Sequence, residues 1–106
     1  MNKRTHAERR VSALEVLDGF VAETYDAERS ALAMQRRQGA LGSFAIDIVM
    51  GDVWSRPQFS RRDRSLIVIS VLAAIGSDDE LSLHTQVCLN HGPARTEIEE
   101  ILLHVA

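Results

Sequence analysis

Three helix starts, spaced along the second half of the chain, constrain its fold more than any other feature. Ser60 stands three residues before Asp63, Ser77 three before Glu80 and Thr96 three before Glu99, each pair opening an apolar-rich run. A hydroxyl at the first position can accept from the backbone N–H three residues on, and an acidic side chain there can reach back to the cap, so this spacing marks a helix N-terminus. Gly76 and Gly92-Pro93 supply the stops, because glycine adopts the left-handed conformation that ends a helix and proline cannot continue one. The punctuation predicts helices over 60–76, 77–92 and from Thr96 onward, without a fixed-period repeat behind them.

Upstream, Val11, Leu14, Leu17 and Val21 recur at helical steps with Glu15, Asp18 and Glu23 between them, predicting an amphipathic helix from Arg9 to Tyr25. The polar, Arg/Gln-rich stretch from Asp26 to Ala40 is expected to be a loop with some helix. Leu41, Phe44, Ile48 and Val49 set another helix that ends near Ser55, ahead of Pro57. The fold class is therefore all-α, a single compact domain over residues 1–106 with about five or six helices. The helix over 60–76 is apolar nearly all round and is expected at the centre of the core. Ile98, Ile101, Leu102 and Val105 carry the last helical pattern to Ala106 with no stop signal, so the C-terminal part of the domain is expected to lie beyond this sequence.

Composition narrows the function classes. A hydrophobic content of 45% argues against disorder, and a formal charge of −3 gives no sign of a nucleic-acid or membrane partner. The clusters Arg36-Arg37 and Arg61-Arg62-x-Arg64 read as solvated faces or anion clamps. The single cysteine, Cys88, rules out an intrachain disulfide and makes the cytoplasm the expected location. The longest apolar run, Leu66 to Ile75, is interrupted by Ser70 and is too short to cross a bilayer, and no leader-like segment precedes it.

Glu80, His84, Cys88 and His91 stand at spacings of four, four and three, which place them along one face of the helix over 77–92. A carboxylate one turn from an imidazole can orient it and raise its basicity, as a proton-transfer group requires. Each residue also has a structural reading. Glu80 sits where a capping box places a glutamate, and His84 could be hydrogen-bonded inside a helix interface. Cys88 could be a small buried apolar residue, and His91, if protonated, is favoured at a helix C-terminus. A straight helix aims few of four such groups at one ion, so no metal site is expected.

Taken in order, Gly51-Asp52-Val53-Trp54-Ser55-Arg56-Pro57, Ser60-Arg61-Arg62-Asp63-Arg64-Ser65-Leu66, Leu72-Ala73-Ala74-Ile75-Gly76, Glu80-Leu81-x-Leu83-His84, Gly92 and Glu97-Ile98-x-Glu100 resemble the carboxymuconolactone decarboxylase family over residues 40 to 106. The entry segment is a looser match, with Val16-Leu17-Asp18-Gly19 only a partial counterpart of the family's pattern. The resemblance implies an all-α subunit in a ring-like homo-oligomer, commonly a trimer or hexamer, with sites near subunit contacts. Peroxide-reducing members of the wider alkylhydroperoxidase-like superfamily carry Cys-x-x-Cys-x-x-x-His, and their cysteines would fall on Ser77 and Glu80, so that chemistry is not expected. The decarboxylase branch implies removal of CO₂ from the small-molecule lactone carboxylate γ-carboxymuconolactone, in protocatechuate breakdown, with no metal or organic cofactor. His84 would deliver a proton or hydrogen-bond the lactone oxygen, with Glu80 setting its tautomer and charge. Arg64 or a neighbouring arginine would hold the substrate's acetate, Arg64 reading equally as a surface helix residue, and Trp54 would wall the pocket. The other reading of the resemblance is a member of the same fold that acts on another substrate or serves as a non-catalytic binding or accessory subunit.

Overall fold

The structure, a computed structural model, describes residues 3–20 and 26–106. Among the described residues every regular element is helical, as the sequence leads one to expect. The order is α1 (His6–Asp18), α2 (Ala27–Gln38), α3 (Ala40–Phe44) running into a π-helical segment (Ala45–Val53), then α4 (Arg61–Ile75), α5 (Asp78–Asn90) and α6 (Arg95–Val105). The chain divides into two compact units, Met1–Pro57 and Gln58–Ala106.

In the first unit, α1 lies along the π-helical segment, and two adjacent residues of that segment explain the pairing. A Cβ on Gly51 would stand 2.6 Å from the carbonyl oxygen of Arg9, so the backbones approach to a distance that only glycine permits. Next to it, the buried carboxylate of Asp52 receives Arg9 Nε at 2.7 Å on one oxygen and Arg4 Nη1 at 3.2 Å on the other. Trp54 closes this core edge-on to Phe20, ring centroids 4.9 Å apart.

The Arg9–Asp52 bond also sets the rotation of α1. The buried face is Ala13, Val16 and Leu17, continued by Phe20, which follows Arg9 at helical steps. The expected stripe through Val11, Leu14, Leu17 and Val21 is thus turned: Val11 is 60% exposed, and Val21 lies outside the described residues. α1 starts at His6, three residues before the predicted Arg9, at a capping box of Thr5 and Glu8. It ends at Asp18, short of the predicted Tyr25, and residues 21–25 lie outside the described residues.

The stretch read as mostly loop is a helix. Asp26 caps α2 by accepting from Arg29 N–H at 3.0 Å, Glu28 occupies the first turn, and Arg36 and Arg37 occupy the last. Both charge placements favour the helix dipole. Ala31 is its one buried residue, and α2 is so polar on average that a sequence reading finds little apolar content to bury.

In the second unit the predicted boundaries of α4 hold. Ser60 Oγ accepts from Asp63 N–H at 3.0 Å, and Gly76 at φ 74 ends the helix in the left-handed region. Ile69 of α4, Cys88 of α5 and Ile98 of α6 form the core, flanked by Leu66, Leu81, Ile101 and Leu102. The expectation that α4 is central all round is corrected: Ser65 and Ile69 are buried, whereas Ile67, Val71 and Ile75 are 49%, 53% and 70% exposed. α6 is capped two residues earlier than expected, by Ala94 N–H donating to Glu97 at 3.0 Å, while Glu99 accepts from Arg95 instead. Among the described residues no helix is long and apolar enough to cross a membrane.

Asp52→Asn keeps the volume but removes the charge that two arginines share. Urea unfolding should show a loss of about 2–3 kcal/mol, the scale for charged hydrogen bonds lost at a buried partner. A change within about 0.5 kcal/mol, typical of an inert surface site, would contradict this role.

Candidate active site

α5 positions the stripe singled out in the sequence and divides it by burial. Ser77 occupies the N-cap but its side chain makes no capping hydrogen bond, so the expected box with Glu80 does not form. Asp78, Asp79 and Glu80 fill the first turn, where the helix dipole favours negative charge. The Glu80 carboxylate lies towards His84 instead, with Oε2 3.7 Å from Nε2. That separation allows a charge interaction but is too long for a direct hydrogen bond. The carboxylate is 60% exposed and the imidazole 19%.

Burial lowers the pKa of His84 below the ordinary imidazole value, and the Glu80 charge opposes this only in part. The imidazole therefore rests neutral at neutral pH, with one nitrogen as donor and the other as acceptor. A group whose folded-state pKa is depressed and whose neutral form is the buried one costs nothing above the unfolded pKa. As pH falls through the unfolded and then the folded value, the unfolded chain takes the proton first and stability is lost.

One turn on, Cys88 is fully buried, and that burial pushes its thiol pKa up, with Arg62 opposing. It is a core residue in the protonated form and has no nucleophilic part to play. His91 sits at the C-cap, and its Nδ1 lies 2.5 Å from Oγ of Ser65, itself 2% exposed. Burial, then the Arg61 charge, lowers its pKa. The reading of His91 as a protonated partner of the helix dipole is therefore replaced by a near-neutral imidazole bonded to α4. Of the residues picked from sequence, the structure brings Glu80 and His84 together. Arg64 places its guanidinium over Phe59, 5.9 Å from the ring centroid, and Trp54 is buried against Phe20 in the first unit.

Among the described residues no group of three or more His, Cys, Asp and Glu side chains could hold a metal ion. Two features escaped the sequence reading. Ser65 looks like any helix serine until its hydrogen bond is seen. Glu100 and His104 on α6 repeat the four-residue spacing of Glu80 and His84, a signal present in the sequence, and both line a groove on the second unit.

Residues 40–106 match the carboxymuconolactone decarboxylase family. The chain belongs to that family. It is 44% identical over 62 residues to the 4-carboxymuconolactone decarboxylase of Acinetobacter baylyi, an overlap of 58% of this chain and 46% of the relative. It is 39% identical over 56 residues to the nitrosuccinic acid decarboxylase of Metarhizium robertsii, covering 53% of this chain and 39% of that protein. The chain spans less than half the length of these relatives. No solved structure matches it significantly. The family match includes all of α5 and with it both residues of the Glu80–His84 pair.

Titration of the His84 ring by NMR should give a midpoint below that of a solvent-exposed histidine, and Glu80→Gln should move it lower still by removing the charge that opposes burial. A midpoint above the ordinary value, or one that Glu80→Gln leaves in place, would contradict the electrostatics described.

Proposed function

We propose that this family member is a cytoplasmic, cofactor-independent decarboxylase acting on 4-carboxymuconolactone, with His84 as its acid and Glu80 as the group that supports the imidazole's charge. The observation that carries the reading is the half-buried His84 with a carboxylate 3.7 Å from Nε2, in a chain similar to a protein named for this reaction.

The chemistry suits a site with one imidazole. When the ring carboxylate leaves as CO₂, the electron pair of the broken C–C bond passes through the ring double bond to the lactone carbonyl, giving a dienolate. The substrate is its own electron sink. What remains for the protein is to stabilise negative charge on the lactone oxygen and to return one proton to a ring carbon. A neutral imidazole is a poor acid. An anionic substrate beside it raises its pKa, so His84 takes up a proton on binding and then delivers it, and Glu80 adds to the same effect. Arg64, half-buried on α4, can exchange the Phe59 ring for a bidentate contact with the substrate's acetate.

A second reading is favoured by the relative named as a nitrosuccinic acid decarboxylase. A nitro group next to the departing carboxylate accepts the electron pair as a nitronate, and the same proton delivery completes the reaction. Substrate choice separates the two readings, and both place His84 at the reacting carbon.

We also propose that the protein works as a ring-like homo-oligomer, a trimer or hexamer. Ile67, Val71 and Ile75 recur along one exposed face of α4, an apolar stripe that a second copy would cover. Light scattering should give a multiple of the monomer mass that Val71→Asp reduces. A monomer at micromolar concentration would contradict the assembly.

With 4-carboxymuconolactone, followed by lactone absorbance and CO₂ release, His84→Ala should lower kcat by at least about a hundredfold, the usual contribution of a positioned general acid. Glu80→Gln should cause a smaller loss. Turnover undiminished in His84→Ala would remove His84 from the reaction.

A further inference from the structure

In the second unit, α4 and α6 line an open groove of about 440 Å³ formed by Ser70, Glu97, Glu100, Ile101, His104 and Val105. The volume lies in the range of small-molecule sites. Its polar groups have a consistent character. Ser70 commits its hydroxyl hydrogen to the Leu66 carbonyl at 2.7 Å, which leaves the oxygen's lone pairs as what it can offer a ligand. Glu97 is matched by Arg62 and also caps Ala94 N–H, so its charge is already compensated. Glu100 forms no ion pair among the described residues and supplies the groove's uncompensated negative charge. His104, when neutral, adds a nitrogen acceptor. Ile101 and Val105 provide the apolar part of the lining.

A carboxylate, a hydroxyl lone pair and an imidazole nitrogen beside an apolar surface complement one chemical group in particular. A primary ammonium has three N–H donors and no acceptor, and it commonly stands at the end of an alkyl chain. We propose that the α4–α6 groove binds a primary alkylammonium ion, its nitrogen held by Glu100, Ser70 and His104 and its chain laid on Ile101 and Val105. The anionic substrate of the proposed decarboxylation is repelled by Glu100, so this is a separate site, and none of its lining residues belongs to the Glu80–His84 pair.

The test uses the full chain and n-pentylammonium chloride, read by NMR. Saturable shifts are expected at Ser70, Ile101, His104 and Val105. Glu100→Gln should weaken binding by about tenfold or more, because the charge-assisted bond is lost while the exposed position leaves the fold intact. Pentyltrimethylammonium, with the same charge and tail but no N–H, should bind several-fold more weakly, and 1-pentanol should not compete. The proposal is overturned by the absence of saturable shifts at these residues, by equal binding to Glu100→Gln, or by 1-pentanol or the trimethyl ion binding as well as the amine.

Discussion

Ile69, Cys88 and Ile98 meet at the centre of the second unit, one from each of its three helices, and the candidate site depends on that contact. With Cys88 fully buried, the face of α5 that carries it must turn towards α4 and α6. His84 lies one turn earlier on that face, so it is drawn partly out of water by the same packing. Glu80, a further turn back, reaches the rim and remains exposed. A gradient from solvent to core along one stripe therefore sets an exposed carboxylate next to an imidazole held neutral by burial. His91, bonded to Ser65, fixes the other end of α5 against α4.

The first unit rests on a different principle. Its helices are held by a carboxylate shared between two arginines and by a glycine that lets backbones touch. Removing one partner of such a buried arrangement leaves charge without compensation, which makes it sensitive to substitution. The blocks that carry the family resemblance divide along the same line. Gly51, Asp52, Trp54, Ser60 and Gly76 all have structural explanations: a close approach, an ion pair, a core ring, a helix cap and a left-handed stop. Glu80 and His84 are the residues of these blocks on which the proposed proton transfer rests. Family membership thus speaks first to the fold, and the reaction has to be argued from that pair.

The parts of this molecule legible from sequence are those governed by local rules. The Ser60 cap, the Gly76 stop and the helical spacing of Glu80, His84, Cys88 and His91 needed no tertiary information. What could not be read depended on partners distant in sequence. The rotation of α1 follows from the Arg9–Asp52 bond, across 43 positions. α2, with a single buried alanine, is too polar on average to declare a packed face. The capping pattern at Ser77–Glu80 was correct as a helix start and wrong as a hydrogen bond, because the glutamate lies towards His84. The exposed stripe on α4 shows the limit of another rule, since an apolar helix reads as buried all round while Ile67, Val71 and Ile75 lie exposed among the described residues.

On the proposed mechanism the half-buried, neutral His84 becomes the acid of a decarboxylation when an anionic substrate arrives beside it. That step is tested most directly by adding a saturated lactone carboxylate, which cannot lose CO₂ to a conjugated sink, and following the His84 ring nitrogens by NMR across pH. The ligand should bind, shift the His84 signals and raise the pKa of the imidazole from its depressed value. Binding that leaves the His84 ring and its titration unchanged would place the substrate elsewhere and contradict the account.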